Sequence, residues 1–369
     1  MYTRKNTKKV KIGKLTIGGG SPVLVQSMTN TDSCDAKATI AQIKNLEDAG
    51  CEIVRISIPS LEAARNISKI KSKINIPLVA DIHFDYKLAI ESIKNGADKI
   101  RINPGNIGSM DKVEAVVCAA KQAKIPIRIG VNAGSLKRIH GLADYKKRAS
   151  ALVDASLEHV KVLEKLNFRD IVVALKASDV LTTVEAYKIF AQKKNYPLHI
   201  GISESGSLYR GTIKSSVGLG ILLHLGLGDT LRVSLTGDPV EEVHVAYHIL
   251  QSLSLRSTGI DIISCPTCSR CEVDLIKIVN EIEEEVKTIK ISGKFKKNPL
   301  KVAVMGCVVN GPGEAKESDF GVAGGKNSGL LFVKGKIVKN IKPKLWAKTI
   351  IKMIKNTVAR GKGKGSRNP

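Results

Sequence analysis

The chain has 369 residues, 43% of them hydrophobic and 4% aromatic, which is enough for one large domain with an aliphatic core and a smaller second one. No apolar run approaches the roughly 18 residues of a membrane span, and no apolar segment follows the basic N-terminus as in a signal peptide, so we expect a cytoplasmic protein without a membrane segment. The net charge of +25 comes from lysines spread over every predicted helix without interleaved aromatic residues, which favours a solvated surface over nucleic-acid binding.

A regular alternation of short strands and longer helices fills most of the chain. Residues 1–20 are predicted to hold a hairpin, at 8–20, and eight β-branched runs follow: 23–28, 53–58, 78–84, 99–103, 127–132, 171–178, 198–203 and 230–235. Stretches with apolar residues at three-and-four spacing separate them, for example 36–49, 60–71, 112–123 and 181–193. Eight strand–helix units in residues 21–253 predict an α/β fold, a (β/α)8 TIM barrel, with a doubly wound open sheet as the alternative.

Polar residues occupy one parity of the predicted barrel strands, and aliphatic residues occupy the other. In the second strand, for example, Arg55 alternates with Val54 and Ile56. Because the aliphatic parity suits packing under the helices, the polar parity is predicted to point into the barrel near its C-terminal mouth, where barrel active sites lie. The polar parity also includes Ser57, Asp81, His83, Arg101, Asn103, Arg128, Gly130, Asn132, Lys176, Ser178, Arg232 and Ser234.

Four arginines and a lysine would then converge inside the barrel, where few acids are available to balance them. Asp81 is one such acid; Glu204 shares the parity of the aliphatic residues before it, so it is assigned to the loop after the seventh strand. Unpaired buried cations are costly, and an anionic phosphate ester or diphosphate balances them better than an internal ion-pair network would. Lys176 could instead form a Schiff base, whereas His83 and His199 are interpreted as core histidines.

Residues 254–359 are predicted to form a small α+β domain, and the basic residues 360–369 a disordered tail. The predicted order is a strand, a cysteine loop, a helix at 272–287, a strand at 301–305, a glycine-rich loop, a hairpin at 330–341 and a helix at 345–358. Seven cysteines, an odd number, argue against a disulfide framework. Three of them are expected to be buried as small hydrophobic side chains: Cys34, Cys51 and Cys118.

The other cysteines lie in two loops of the second domain. Cys265 and Cys268 form a Cys-x-x-Cys pair around a proline, and Cys307 lies in a later loop rich in glycine and proline. Thiolates on two such loops suit a soft metal, either zinc or an iron–sulfur cluster. Structural zinc usually takes two paired ligand sets, and only one pair is present, so the pattern favours iron–sulfur.

Longer motifs carry a resemblance to a known family. Two are the cysteine loops, Ser-Cys265-Pro-Thr-Cys268-Ser-Arg and Gly-Cys307-Val-Val-Asn310-Gly-Pro-Gly-Glu314-Ala. Four come from the predicted barrel: Leu-Val-Ala-Asp81-Ile-His83-Phe-Asp, Arg101-Ile-Asn103-Pro-Gly-Asn, Arg128-Ile-Gly-Val-Asn132-Ala-Gly-Ser and Lys176-Ala-Ser178-Asp. In this order, over residues 8–350, the chain resembles the two-domain bacterial form of the 4-hydroxy-3-methylbut-2-enyl diphosphate synthase family.

The resemblance implies a reductive step of isoprenoid biosynthesis in the methylerythritol phosphate pathway. Its substrate would be 2-C-methyl-D-erythritol 2,4-cyclodiphosphate, whose ring is opened and whose hydroxyl is removed. A 4Fe-4S cluster would be held by Cys265, Cys268, Cys307 and Glu314, with Glu204, Glu314 and Asn310 as catalytic residues. The implied substrate-binding residues are Arg55, Asp81, Arg101, Asn103, Arg128, Asn132, Lys176, Arg232 and Ser234.

The resemblance also implies partners. Flavodoxin or ferredoxin would deliver electrons, and the site would combine the barrel of one subunit with the cluster domain of another, so we expect a homodimer that binds neither nucleic acid nor membrane. Two other functions remain open at this stage. One is a Schiff-base aldolase with a zinc knuckle, and the other is a nucleic-acid-binding protein with a zinc module.

Cys271 departs from the family pattern, because a residue without a thiol is usual at this position. Together with Cys265, Cys268 and Cys307 it could form an all-cysteine cluster, as in bacterial ferredoxins. We favour Glu314 as the fourth ligand, since Cys271 is predicted to begin the following helix with its side chain turned away.

Overall fold

The chain folds into two compact units, Met1–Leu255 and Arg256–Pro369. The structure, a computed structural model, describes residues 4–136, 139, 141–257, 259–289, 299–307, 309, 313 and 316–361. Residues 362–369 of the predicted tail at 360–369 therefore lie outside the described residues, as do Asn310 and Glu314.

The first unit contains two sheets and nine α-helices among its described residues. Its strands are β1 (Val10–Ile12), β2 (Leu15–Ile17), β3 (Leu24–Met28), β4 (Ile53–Ser57), β5 (Leu78–Asp81), β6 (Lys99–Ile102), β7 (Ile127–Asn132), β8 (Ile171–Lys176), β9 (His199–Ile200) and β10 (Thr230–Leu231). Its helices are α1 (Ala36–Asp48), α2 (Leu61–Lys71), α3 (Tyr86–Lys94), α4 (Pro104–Ile107), α5 (Met110–Ala123), α6 (Tyr145–Lys165), α7 (Val180–Lys193), α8 (Leu208–His224) and α9 (Pro239–Ser252).

Strands β3 to β10 form one parallel sheet that closes on itself. Its order is β8-β7-β6-β5-β4-β3-β10-β9. The two ends of this order meet through a parallel bridge between Val173 and Leu198, where Val173 N donates to Pro197 O at 2.9 Å. The (β/α)8 barrel prediction is thus confirmed, and the open doubly wound sheet is excluded because both of its edges would be free.

The predicted alternation of faces is present in the barrel. Ile56, Ile102 and Leu175 are fully buried in the core between strands and helices, as the aliphatic parity requires. The helices begin at residues that satisfy their free N–H groups, as when Ser60 Oγ accepts from Ala63 N at 3.2 Å. Because the aliphatic residues of each strand face the helices, the alternating polar residues face the inside of the barrel.

The N-terminal hairpin has a defined position that its sequence did not indicate. Val10, Ile12 and Ile17 pack into one apolar cluster with the lowest inward-facing residues of the barrel strands. Those strand residues are Leu24, Ile53, Val79 and Val172. The hairpin thus plugs the N-terminal end of the barrel, opposite the predicted mouth.

The second unit is a five-stranded mixed sheet with two described α-helices. Its elements are β11 (Ile260–Ser264), α10 (Leu275–Lys287), β12 (Leu300–Met305), β13 (Phe320–Gly324), β14 (Gly329–Val333), β15 (Lys336–Ile341) and α11 (Trp346–Gly361). The sheet order follows the chain; β11, β12 and β13 are parallel, and β14 and β15 are antiparallel to their neighbours. Trp346 is fully buried at the centre of this unit's core.

Several predictions for this region are corrected. Strand β13 was not predicted, and α10 begins at Leu275 rather than at 272 because Asp274 Oδ1 accepts from Lys277 N. Helix α11 extends to Gly361, so Arg360 belongs to a helix and not to a tail.

The three isolated cysteines are not all buried as expected. Cys51 is 3% exposed and fits the prediction. Cys34 is only partly buried, and Cys118 is exposed because it lies on the solvent face of α5.

None of the described helices is both long enough and apolar enough to cross a membrane.

Candidate functional site

Asp81 is the acid at the centre of the barrel cations. Its Oδ1 accepts from Arg101 Nη1 at 3.1 Å, and its Oδ2 lies 3.8 Å from Arg55 Nε and 3.4 Å from His83 Nε2. Burial acts to raise the pKa of Asp81, but Arg55, His83, Arg101 and Arg128 outweigh it and hold that pKa well below its usual range. Asp81 is therefore a carboxylate that orients two arginines side by side.

A second buried acid, Glu242 on α9, holds Arg232. The guanidinium donates twice, from Nε to Oε2 at 3.1 Å and from Nη2 to Oε1 at 3.0 Å. Glu242 also accepts from Ser27 Oγ at 2.9 Å and from Leu235 N at 3.1 Å. Sequence reasoning missed this residue, although a glutamate on the apolar face of α9, in line with Ala246 and Ile249, was an available signal.

Asp81 and Glu242 do not neutralise all of the basic side chains inside the barrel. In the described part of the barrel, Nε and Nη1 of Arg128 have no hydrogen-bond partner, and Lys176 Nζ lies 3.3 Å from His199 Nε2. Burial, followed by nearby arginines, lowers the pKa of both Arg128 and Lys176 well below the ordinary values. An internal ion-pair network thus accounts for Arg55, Arg101 and Arg232 but leaves two cations available to an anion.

Lys99 is a sixth basic residue of the interior that the sequence analysis did not single out. It shares the parity of Arg101, is fully buried, and its Nζ has no partner among the described residues. A buried donor left unsatisfied costs about 1–3 kcal/mol, so its presence needs an explanation.

Two glycines make room for the long cationic side chains. A Cβ on Gly130 would lie 2.6 Å from Arg101 Nε, and one on Gly201 would lie 2.6 Å from both Lys176 Nζ and Arg232 O. Real Cβ atoms do not approach other atoms this closely. The side chains of Arg101 and Lys176 therefore lie where only glycine is tolerated on the neighbouring strand.

The neutral donors predicted at the mouth follow the carboxyl ends of the strands. Asn103 Oδ1 accepts from Gly105 N at 3.2 Å, which caps α4 and leaves the amide nitrogen to donate. Asn132 pairs in register with Lys176, and Ser234 follows Arg232 by two residues, partly exposed.

Glu204 lies in the loop after β9, as predicted, with its side chain exposed. Its φ of 51° is in the left-handed region, which is strained for glutamate and frequent at functional sites. Hydrogen bonds on either side hold the loop: Ser205 Oγ donates to Ile202 O at 3.1 Å, and Thr236 N donates to Gly206 O at 2.9 Å.

The two histidines differ from each other. His199 is fully buried with Nδ1 2.8 Å from Thr230 Oγ1, in agreement with a core histidine. The same interpretation is wrong for His83, whose side chain is 50% exposed beside Asp81. His83 follows the end of β5, where the strand opens into the mouth.

The cysteine loops lie at the carboxyl ends of two neighbouring parallel strands. Ser264 and Val304 are paired in register, so Cys265 and Cys307 leave adjacent strands, and Gly306 N donates to Cys265 Sγ at 3.3 Å. Cys268 opens a tight turn in which Cys271 N donates to its carbonyl oxygen at 2.9 Å. None of the seven cysteines, all of which lie in the described ranges, forms a disulfide, and no three His, Cys, Asp or Glu residues there form a ready metal site.

Cys271 does not begin a helix, which corrects the prediction. It lies in the turn before α10, and its Sγ donates to Val273 O at 3.3 Å. Its side chain packs against the second unit's core and against Gly306, where a Cβ would meet Cys271 Sγ at 2.4 Å. The thiol is therefore occupied in supporting the Cys307 loop.

Family models match almost the whole chain. The model described as the GcpE TIM-barrel domain matches residues 7–247, and the GcpE protein C-terminal domain matches residues 261–356. The chain belongs to the GcpE family. The resemblance inferred from the cysteine loops and barrel motifs is thereby confirmed, and the aldolase and nucleic-acid alternatives lose their support.

Members of the GcpE family from other bacteria are similar over nearly their full length. A protein of Clostridium perfringens is 56% identical over 352 residues, covering 95% of this chain and 99% of the relative. One from Caldanaerobacter subterraneus is 55% identical over 356 residues, covering 96% and 98%. Both are named 4-hydroxy-3-methylbut-2-en-1-yl diphosphate synthase (flavodoxin).

A solved structure supports the barrel fold alone. Dihydropteroate synthase from Stenotrophomonas maltophilia superimposes with a TM-score of 0.51 at 14% identity, covering 67% of this chain and 98% of that one. At this identity the similarity carries no information about substrate.

Proposed function

We propose that this chain makes 4-hydroxy-3-methylbut-2-enyl diphosphate by reductive ring opening of 2-C-methyl-D-erythritol 2,4-cyclodiphosphate, in isoprenoid biosynthesis. Relatives named for this synthase share more than half of its residues. The structural observation that carries the proposal is the excess of cations over acids inside the barrel. Arg128 and Lys176 have no carboxylate to neutralise them in the described barrel, and a doubly charged cyclic diphosphate supplies the missing charge.

Different barrel residues have different roles in binding this substrate. Arg128 and Lys176 bind the phosphoryl oxygens directly, while Asp81 and Glu242 keep the remaining arginines in fixed orientations beside them. The amide of Asn103, Asn132 and Ser234 add neutral donors at the mouth. Fixed donors around a dianion give both affinity and orientation of the ring toward the mouth.

The cysteine loops fit a 4Fe-4S cluster. Cys265, Cys268 and Cys307 provide three thiols, none of them in a disulfide, from two adjacent strand ends, and the N–H···S bond from Gly306 is of the kind that stabilises a thiolate. Glu314, outside the described residues, is the proposed fourth ligand. When bound, such a cluster supplies electrons singly and, at an iron held by a carboxylate, an exchangeable Lewis-acidic position.

The protein must also supply the proton that the reaction consumes. Ring opening and loss of the hydroxyl together consume two electrons. The ring C–O bond breaks to release a diphosphate oxyanion, and the departing hydroxyl takes up one proton to leave as water, so a group at the mouth must donate. Glu204 is the exposed carboxylate of a rigid loop there, and we assign it this role together with Asn310, which lies outside the described residues.

An acidic electron carrier of the flavodoxin or ferredoxin class is the proposed redox partner. The names of the relatives specify flavodoxin. The net charge of +25 would steer an acidic carrier toward the protein, and this attraction would weaken as salt is added. Free thiols throughout the chain fit a reducing compartment, the cytoplasm.

A homodimer is the proposed assembly, and helix α8 offers a surface for the second copy. Ile213, Val217 and Ile221 follow one another at a spacing of four residues and are 50%, 50% and 39% exposed. Tyr209 and Leu225, at the same spacing of four residues, extend this apolar stripe. Ile213→Lys should convert the dimer to monomer in sedimentation, whereas Ile276→Lys, which changes a more exposed isoleucine on α10, should leave it unchanged.

Turnover under anaerobic conditions tests the proposed activity. The cluster-loaded protein, supplied with reduced flavodoxin and the cyclic diphosphate, should form the linear diphosphate. Arg128→Met should lower kcat/KM by roughly tenfold to a hundredfold, and Arg169→Met, which changes an exposed arginine beside Glu164, should not. Absence of the linear product from the loaded wild type would overturn the proposal.

A further inference from the structure

Deep inside the barrel lies a set of buried polar side chains of which the proposed function uses only Arg128. Gln26 on β3, Lys99 on β6 and Arg128 on β7 point inward and are 1%, 0% and 1% exposed. Within the described ranges, both amide atoms of Gln26, the Nζ of Lys99 and the Nε and Nη1 of Arg128 lack hydrogen-bond partners. Lys99 and Arg128 lie on neighbouring strands, and Gln26 adds unsatisfied atoms on the inward face of a third strand.

The surroundings of Lys99 offer nothing that would hold its charge. Its strand partner in register is Val79, a member of the apolar cluster that the hairpin plugs from below. Its charged neighbours are Arg128 and Arg55, and burial together with these two cations lowers the pKa of Lys99 well below its ordinary value. If this position served only for packing, methionine or leucine would make the folded protein more stable than lysine does.

The unsatisfied atoms are mostly donors. The amine of Lys99, two N–H groups of Arg128 and the amide nitrogen of Gln26 all donate, and the amide oxygen of Gln26 is the single acceptor. A set of converging donors between like charges matches an oxyanion rather than a cation or an apolar group.

We propose that Lys99 and Gln26, with the inner edge of Arg128, form a second and deeper anion-binding level of the barrel that accepts a phosphoryl group. The inference deepens the proposed function, on which it rests for the identity of the natural ligand. Two sources have this chemistry: one phosphoryl group of the cyclic diphosphate, or a free inorganic phosphate bound below it.

The Lys99→Met variant distinguishes a role in binding from a role in packing. A binding role predicts a higher thermal midpoint for the phosphate-free variant, whereas a packing role predicts a lower one. Methionine keeps the length of the side chain and removes the unsatisfied amine. The thermal midpoint of the phosphate-free protein should rise, while the dissociation constants for inorganic phosphate and for the cyclic diphosphate should increase roughly tenfold or more. A fall in the midpoint, or unchanged binding, overturns the proposal.

Two further variants serve as controls. Lys301→Met makes the same change at an exposed lysine of β12 and should alter neither quantity. Gln26→Leu should weaken phosphate binding in the same direction as Lys99→Met, since its amide belongs to the same level.

Competition distinguishes the two sources. If phosphate still binds to protein saturated with the cyclic diphosphate, and does so only with Lys99 present, the deeper level takes a separate oxyanion. If the two ligands exclude each other, it takes a phosphoryl group of the substrate. Because inorganic phosphate is a probe independent of turnover, binding that depends on Lys99 would survive a failure of the proposed function, and turnover with unchanged Lys99→Met binding would overturn this inference alone.

Discussion

Arg232, directly after the last barrel strand, and Glu242 on the following helix form a doubly hydrogen-bonded ion pair, with N···O distances of 3.1 and 3.0 Å. The pair is a positioning device, because Glu242 is 3% exposed and also binds Ser27 and Leu235 N. It neutralises one of the barrel cations while fixing the direction of its guanidinium. The basic groups of the barrel that remain without a carboxylate partner among the described residues are Arg128, Lys176 and Lys99.

Glu242→Gln should lower stability, because a neutral amide cannot replace the carboxylate that accepts from Arg232, Ser27 and Leu235. We expect a loss of about 1–3 kcal/mol in the free energy of unfolding, measured by chemical denaturation. The matched control is Glu241→Gln at the preceding, partly exposed residue, which should change stability by less than about 0.5 kcal/mol. Equal effects of the two substitutions would contradict a buried pair.

Substrate binding should take up protons. Burial lowers the pKa of Lys99, Lys176 and His199 well below their ordinary values, and the neighbouring cations add to this effect. These groups therefore bind fewer protons in the empty folded barrel than in the unfolded chain, and their effect destabilises the empty protein as pH falls below the unfolded pKa values. The charged groups that face them are Arg55, Asp81, Arg101, Arg128 and Arg232.

A bound diphosphate favours the protonated forms and raises these pKa values, so affinity should increase as pH falls toward neutrality. The cyclic diphosphate has only strongly acidic groups and contributes no proton of its own near pH 7. Titration calorimetry in two buffers of different ionisation enthalpy measures the uptake directly. Zero uptake, together with an affinity that does not change with pH, would show that the barrel is already fully protonated when empty.

Gly201→Ala should impair substrate binding without unfolding the barrel. The added Cβ would lie 2.6 Å from Lys176 Nζ, the flexible end of a side chain, and 2.6 Å from the backbone oxygen of Arg232. Displacing both groups should raise the dissociation constant for the cyclic diphosphate roughly tenfold or more. Gly220→Ala on α8, where a Cβ meets nothing within 4 Å, is the control and should leave binding unchanged.

Much of this site could be predicted from one property of strands, the alternation of side chains between two faces. That alternation placed Arg55, Arg101 and Arg128 inside the barrel, and the observed core agrees. The same alternation places Lys99 on the inward face of its strand. In a chain so rich in lysine, however, nothing in the sequence distinguished this lysine from the others.

Other features depend on tertiary contacts that local pattern does not encode. Glu242 reaches Arg232 from a helix, and the hairpin plugs the barrel only because its apolar residues match the lowest strand positions. Helix α10 was predicted three residues too early, since Asp274 rather than the preceding sequence determines where the helix begins. Cys271 was misplaced as a consequence.

Cys271 should be dispensable for the cluster, while Cys268 should not. The Cys271 thiol donates to Val273 O at 3.3 Å and packs beside Gly306, so serine at this position keeps a donor and nearly the same volume. Anaerobically reconstituted Cys271→Ser should retain the visible absorption and the iron content of wild type. Cys268→Ser, which changes an exposed thiol in the same turn, should lose most of both. The reverse result would mean that Cys271 is a ligand, and that the substrate meets a cluster whose irons are all held by cysteine.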